Sequence, residues 1–397
     1  MMIGVRSYLD HNATAPLRPE VAEAVARALA LPGNASSVHA EGRAARAAVE
    51  RARAEVAMLV AAEPRNVVFT SGGTEAANTV LTPSLRRAGE HEPVSLLLVG
   101  AAEHACVRDG HRFPRDRVGE VPVTPEGTVD LPWLAERLER LDGCRPLVSI
   151  QAANNETGVI QPVAEAAALT HRRGGLLHSD AVQAAGKIPC DIKTIGADVI
   201  TLSAHKLGGP KGVGALVLAS DRIEIADRLI RGGGQERGYR AGTENVAGIV
   251  GFGVAAALAA RDASRAGAGP QAGPNAGTLR DAAEARLRAL APDAVVFGSG
   301  AERLPNTLSF AIPGMRAETA LIRFDLEGVA VSSGSACSSG KVKRSHVLDA
   351  MGVAPALADG AIRVSFGWNS TEVDVDRFIA ACEKLVATLY ERRAAVA

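Results

Sequence analysis

Aromatic residues make up only 3% of this 397-residue chain, with two tryptophans and three tyrosines. Alongside abundant Ala and Arg, that scarcity reads as genome bias rather than a functional signature. Cysteine is scarce too. Cys106, Cys144, Cys190, Cys337 and Cys382 are scattered, odd in number and contain no CxxC pair. A disulfide framework or a zinc site is not expected; no metal is assigned, and a reducing cytoplasm is the expected setting. The formal net charge is zero, so bulk attraction to nucleic acid or membrane is not expected. No apolar run reads as long enough to span a bilayer, and Met1 to Asp10 lacks a signal-peptide pattern. The glycine-rich Gly208–Gly214 does not fit the GxxxxGK(S/T) phosphate loop.

Hydrophobic residues are 47% and charged residues 22%, the balance of a globular protein. The length exceeds one simple core, so two domains are expected. Short β-rich runs alternate with longer amphipathic ones. Val67–Thr70 precedes a helix-like Thr74–Arg87, Val94–Val99 a segment opening at His104, and Leu147–Gln151 a helix at Val163–Arg173. Leu176–His178, Val199–Leu202 and Ala215–Leu218 follow as short strands. This alternation predicts an α/β fold with a mostly parallel sheet, whose ligand sits at the carboxyl ends of the strands. Beyond residue 260 the character changes. Ala263–Gly277 is rich in Gly, Ala and Pro and reads as a connector. Helices at Leu279–Leu290, Glu318–Leu326 and Val373–Tyr390, with strands at Val295–Phe297, Thr307–Ile312 and Ile362–Phe366, suffice for a second, smaller α/β domain.

The residues at the strand ends carry the chemistry. Phe69–Glu75 is a strand, a glycine turn and a helix start. Its free N–H groups with the Thr74 hydroxyl could cradle a phosphate, or it is an ordinary capped helix. Leu176–Asp180 ends an apolar strand in a carboxylate, which needs a partner: a protonated cofactor ring nitrogen or a structural Arg. Val199–Lys206 ends in Ser203, His205 and Lys206. A lysine there is a candidate Schiff-base amine or a surface lysine. His104 could stack on a planar ring or move protons, and Asn154–Gly158 could bind an oxygen or make a turn. Cys337 lies in Ser332–Lys341, a Ser/Gly stretch followed by Lys341, Lys343 and Arg344. It is either a nucleophilic sulfur on a flexible arm or a small residue in a turn. Jointly, a lysine, an acid, a phosphate cradle and a ring-stacking histidine on one sheet are what a pyridoxal phosphate enzyme needs.

At these positions the chain resembles a known family. Tyr8–Pro16, Thr70–Glu75, Asn154–Gly158, His178–Gln183, Ser203–Lys206, Gln235–Arg237, Arg240–Asn245 and Ser332–Cys337 are similar, in order and nearly end to end, to the cysteine desulfurases. These are pyridoxal phosphate enzymes of the class V aminotransferase group with the type I aminotransferase fold. NNETG and RAGTEN resemble the nitrogen-fixation type, and SSGSACSSGKVKRSHVL the long-loop group. The resemblance implies a large domain over 15–260, and a small one from 1–14 and 261–397 carrying the cysteine loop. It implies that Lys206 holds pyridoxal phosphate, Asp180 pairs with the pyridinium nitrogen, Gln183 bonds the phenolate oxygen and His104 stacks on the ring. Gly73, Thr74, Ser203 and His205 would hold the phosphate, with Thr243 doing so from the partner of a homodimer. Arg363 would bind the substrate carboxylate with Asn12, and Asn155 would help at the same place or on the cofactor. Two departures stand out. Ala263–Gly277 interrupts what is usually continuous helix, and His11 stands where relatives often have Asn or Tyr.

The implied reaction converts L-cysteine to L-alanine. Lys206 removes the α-proton and the Cys337 thiolate takes the substrate sulfur as a persulfide for an acceptor, an iron–sulfur scaffold protein. Lys341, Lys343 and Arg344 read first as solvated loop charges and second as a docking patch for that acceptor. Other readings on the same fold are a selenocysteine lyase or a transaminase of the same group. A reading of a different class is a non-catalytic sulfur-assembly subunit, against which intact Lys206, Asp180, His104 and Cys337 count.

Overall fold

Short, apolar runs bounded by turns build the centre of the protein. A computed structural model describes residues 6–90, 92–266, 276–333 and 344–396. Its first strand, β1, is Ser7–Tyr8. It is followed by helices α1 (Pro19–Leu29) and α2 (Ala40–Leu59). Then come β2 (Val67–Thr70), α3 (Gly73–Val80), β3 (Leu85–Arg87), β4 (Leu96–Gly100), α4 (Ala105–Arg108) and β5 (Val118–Val121). Next are α5 (Leu131–Glu139), β6 (Pro146–Ser149), α6 (Val163–Arg172), β7 (Leu176–Asp180), β8 (Val199–Ser203), β9 (Gly214–Leu218) and β10 (Ile223–Ile225). Seven strands form one sheet in the order β2-β9-β8-β7-β6-β4-β5.

The pairs from β8 to β5 are parallel, and β9 runs antiparallel to both β8 and β2. The predicted, mostly parallel α/β sheet is therefore present. Both faces are buried, as parallel sheets require. Val67 and Phe69 of β2 join one apolar cluster with α1, α2 and α6, while Val68 joins the opposite one with α3. Reversing β9 has a local consequence. Gly214, its first residue, pairs with both Thr70 and Ser203, the last residues of β2 and β8. A Cβ on Gly214 would lie 2.6 Å from the Gly72 carbonyl carbon. Only glycine lets the turn after β2 close this tightly over the end of β8.

Helix α7 (Val246–Ala266) packs on α1 and α2. It corrects one expectation: Val246–Ser264 is long and apolar enough, by length and composition, to cross a membrane. Ile249, Phe252, Ala255, Ala256 and Ala259 are nonetheless buried in the core against those helices. The helix expected over Thr74–Arg87 is corrected too. Here α3 stops at Val80 and Leu85–Arg87 pairs with β10. Pro83 lacks an N–H and disfavours helix at Thr82, so the chain turns there.

A second body follows. It contains α8 (Ala276–Leu290), β11 (Val295–Val296), β12 (Thr307–Ala311), α9 (Ala317–Leu326), β13 (Val329–Ala330), α10 (His346–Ala350), α11 (Pro355–Ala358), β14 (Ile362–Ser365) and α12 (Glu372–Val396). Helices α7 and α8 take up both ends of Ala263–Gly277, which read as a connector; its residues 267–275 lie outside the described ones. Strands β11, β12 and β14 form an antiparallel sheet whose core holds Phe310, Phe324 and Phe378. Phe324 and Phe378 stack at 5.7 Å. The N-terminus belongs here as well: β1 pairs parallel with β13, and Leu9 is buried in this core.

One buried ion pair ties the segment after β10 to the edge strand β2. Arg53 on α2 grips Glu236 bidentately, both distances 2.8 Å, and Glu236 also accepts from the Phe69 N–H at 2.8 Å. Glu236 and Arg237 both have left-handed backbone, φ +46° and +53°, a strain the pair must hold. Replacing Glu236 by Gln removes the buried carboxylate and leaves the Arg53 guanidinium only the exposed Glu50, 3.1 Å from its Nε, as counter-ion. The variant should lose about 3 kcal/mol of unfolding free energy. Urea unfolding checks this, and a loss within 0.5 kcal/mol, about that of a surface change, would contradict it.

Candidate active site

The site forms where the polar ends of these strands converge. The turn after β2 leads into α3, whose first residues are Gly73 and Thr74. Ser203 ends β8, and a single turn of 3-10 helix then presents His205 and Lys206. With Val182, these groups line one end of a cavity of about 230 Å³. The cradle has no room for a side chain at Gly73, because a Cβ there would sit 3.0 Å from Val182 Cγ2. His205 Nδ1 lies 3.1 Å from Thr14 Oγ1, and burial, then Lys206 and Lys211, push its pKa down to about 4. His205 is therefore a neutral hydrogen-bonding group at pH 7.

Asp180, the last residue of β7, lies buried in the same cavity wall. Its Oδ1 accepts from the Val182 N–H at 2.9 Å. Burial raises its pKa, and the Val182 hydrogen bond, His104, Lys206 and Thr201 pull the other way. Such a carboxylate is completed by a cation brought into the cavity. His104 follows β4 and caps α4, its Nδ1 accepting from the Cys106 N–H at 3.1 Å. Lys206 Nζ donates to the backbone carbonyls of Asn12 at 2.5 Å and Ala13 at 2.9 Å. Gln183 and Asn155 complete the lining.

The expected substrate residues are placed less directly. Arg363 on β14 is fully buried behind Asn155 rather than on the cavity wall. Its guanidinium donates to Asn155 O at 2.9 Å and pairs with Asp10 at 2.7 Å, while its Nε has no partner among the described residues. Asn12 lines the cavity, but its side chain is fully engaged. Nδ2 donates to Thr307 Oγ1 (2.9 Å) and Asn155 O (3.3 Å), and Oδ1 accepts from Asn306 (3.0 Å) and Lys187 (3.2 Å). Thr243 is exposed and does not line its own chain's cavity. Cys337, Lys341 and Lys343 lie outside the described residues; Arg344 pairs with Asp349 at 2.9 Å. The described flanks of that stretch are both anchored. Ser332 exchanges backbone hydrogen bonds with Arg363, and Ser345 Oγ donates to the buried Glu156 at 2.5 Å.

Sequence reading missed Glu103, Cys106 and Lys187. Glu103 is buried beside Asp180, and burial followed by that neighbouring charge raises its pKa well above the usual carboxylate range. The Cys106 thiol lines the cavity, and burial raises its pKa, which makes it a poor nucleophile. Lys187 carried no signal, because its segment with Gln183 is a run of turns and not a helix on which a four-residue spacing would be read. His11, the departure in the N-terminal motif, is off the cavity. It packs edge-on against Tyr8, in space that Gly367 leaves open.

Comparison with known proteins places this arrangement. Residues 7–378 match the family described as Aminotransferase class-V. A cysteine desulfurase of Gluconacetobacter diazotrophicus is 40% identical, over 97% of this chain and 94% of the relative. The cysteine desulfurase IscS of Dictyoglomus turgidum is 38% identical, over 96% of this chain and 95% of the relative. The chain belongs to the cysteine desulfurase family. Among solved structures, the NifS-like protein of Rickettsia africae superposes with a TM-score of 0.83 at 35% identity, covering 96% of this chain and 99% of that one.

Cysteine desulfurases use pyridoxal phosphate, and the residues present fit that group. A buried carboxylate suits a ring N–H. A helix N-terminus with the Thr74 and Ser203 hydroxyls suits a phosphate. An amine from Lys206 lines the cavity with them. Gly73 keeps the helix start free of a side chain, as the close approach of a phosphate needs.

Behind the Asp180 strand end lies a pH-sensitive support. His178 is completely buried, its ring nitrogens 2.8 Å from Ser149 Oγ and 3.2 Å from Thr201 Oγ1. Burial pushes its pKa down to about 3; His11 is pushed to about 4 by burial and then Lys187. Below pH 6.5 the unfolded chain binds protons at these histidines that the folded chain refuses. Unfolding free energy should therefore fall by about 1.4 kcal/mol per pH unit per histidine, from pH ~6 to ~4. His178→Gln should lower that slope by one proton in denaturant titrations across this range. An unchanged slope would mean that His178 is not held neutral.

Proposed function

We propose that this cysteine desulfurase works as a homodimer that collects sulfur from L-cysteine on Cys337, releases L-alanine and passes the sulfur to an acceptor for iron–sulfur cluster assembly. The carrying observation is that Lys206, Asp180, His104 and the Gly73–Thr74 helix start line one cavity. When bound, pyridoxal phosphate supplies an electron sink for bonds at the substrate α-carbon. With the cofactor in place, Asp180 would keep a ring proton in place, Thr74, Ser203 and His205 would hold the phosphate, Gln183 would donate to the ring oxygen, and His104 would stack on the ring. Lys206, released from the Asn12 and Ala13 carbonyls, takes the α-proton. Arg363, with its unpartnered Nε, offers a fork for the substrate carboxylate.

Sulfur transfer balances without an outside oxidant. The Cys337 thiolate forms the new S–S bond, the substrate Cβ–S bond breaks, and its electron pair stays on Cβ and is protonated to the methyl of alanine. Thr243, exposed in its own chain, is free to reach a partner's phosphate site, which supports the dimer. The apolar clusters on the two faces of the seven-stranded sheet, and the separate core around Phe310 and Phe378, support domains at 15–260 and at 1–14 with 261–397. The unbridged Cys106, Cys144, Cys190 and Cys382 support a reducing, cytoplasmic setting. The name IscS on a full-length relative supports the iron–sulfur role.

The test is alanine and sulfide release from L-cysteine with a thiol reductant. The native enzyme should give both in equal amounts. Cys337→Ala and Lys206→Ala should each fall by about 100-fold or more, a loss of roughly 3 kcal/mol in transition-state stabilisation. Undiminished release by Cys337→Ala would overturn the persulfide assignment.

A further inference from the structure

Lys187 belongs to none of the motifs that suggested the site, yet it holds two of its residues. Its ammonium donates to Gln183 Oε1 at 2.9 Å and to Asn12 Oδ1 at 3.2 Å. On the far side of the same amide, Gln183 Nε2 donates to Asn12 O at 2.9 Å. That carbonyl also takes the Lys206 amine, at 2.5 Å. Lys187 is thus one hydrogen bond from Gln183 and two from the catalytic amine.

The chemistry of the groups gives this contact a direction. A carboxamide has a donor end and an acceptor end of nearly identical shape, so packing alone barely chooses between its two orientations. An ammonium can only donate. Facing the protonated form of Lys187, Gln183 turns its oxygen toward the lysine and keeps its NH₂ for the other side. Asn12 is fixed by the same rule, with Oδ1 toward Lys187 and Nδ2 toward Thr307 and Asn155. The ammonium is held at a cost. Burial, then the charges of Lys206 and Arg363, push its pKa down to about 7, so a merely space-filling residue here would be better apolar.

We propose that Lys187 is a positioning residue that fixes Gln183 with its NH₂ as the donor offered to the ring oxygen of bound pyridoxal phosphate. The inference rests on the reading of Gln183 and Lys206 as cofactor ligands. It predicts that any donor-only side chain at 187 suffices, and that the effect of Lys187 passes through Gln183.

The experiment uses Lys187→Met, Lys187→Arg, Gln183→Leu and the Lys187→Met/Gln183→Leu double variant. Each is read by the position of the cofactor's visible absorption band in the holoenzyme and by the Kd for pyridoxal phosphate. Lys187→Met should shift the band and raise Kd about tenfold, the scale of one charge-assisted hydrogen bond. Lys187→Arg, which also only donates, should keep the native band. In the Gln183→Leu background, Lys187→Met should change Kd less than twofold further. An unshifted band with unchanged Kd in Lys187→Met, or effects of the two single changes that simply multiply, would overturn the proposal. If Lys187→Met does not fold, Lys187→Gln, polar and of similar length but able to accept, is scored by the same two readouts. Lys206→Ala separates the two layers. Its loss of the native band sustains the cofactor reading whatever Lys187 does, whereas a native band there would overturn that reading and the proposal with it.

Discussion

Asn12 is almost fully buried and uses every hydrogen-bonding group it has. Its N–H donates to Ser365 Oγ at 2.9 Å, its carbonyl accepts from Gln183 and Lys206, and its side chain takes four further partners. Thr307, Asn306 and Ser365 belong to the body around the antiparallel sheet. Gln183, Lys187 and Lys206 belong to the seven-stranded one. Asn12 thus joins the two bodies at the point where the Lys206 amine is held, beside the links from Arg363 to Asn155 O and from Ser345 to Glu156. Such a network is cooperative, and each broken link leaves a buried polar group unmatched.

The electrostatics of the site follow from that enclosure. Burial pushes the acids Asp180 and Glu103 toward their neutral forms and Lys187 toward its own. The pocket therefore favours an incoming group that brings a cation to Asp180 and an anion to the helix start beyond Gly73. A pyridinium ring with a phosphate arm carries both charges. The same logic explains Arg363. Paired with Asp10 and backed by Asn155, its charge is kept ready next to the cavity rather than in it.

Much of this was legible in the sequence because strand ends in a parallel sheet are compulsory meeting points. Val67–Thr70, Leu176–Asp180 and Val199–Ser203 are apolar runs that end in polar residues, so Thr74, Asp180 and Lys206 had to come together once the sheet formed. The limits were equally physical. Pro83 ended α3 early, a local veto that the amphipathic pattern through Arg87 hid. Apolar Val246–Ser264 became a core helix because α1 and α2 cover it. Lys187 was illegible because a lysine's default place is solvent, and only tertiary contact turns its ammonium inward. Asp10 as the partner of Arg363 joins residues 353 apart, beyond any local pattern.

The junction at Asn12 is tested most directly with the chain's two tryptophans. Trp133 lies in α5 of the seven-stranded body; Trp368 follows β14 and donates to Pro16 O at 3.1 Å. Urea unfolding would be followed at each, using single-tryptophan variants with and without Asn12→Ala. With Asn12 present, the two transitions should coincide, as one cooperative unit requires. With Asn12→Ala, the Trp368 transition should move to lower urea than that of Trp133. Coincident transitions in both backgrounds would contradict the claim that this residue joins the two bodies.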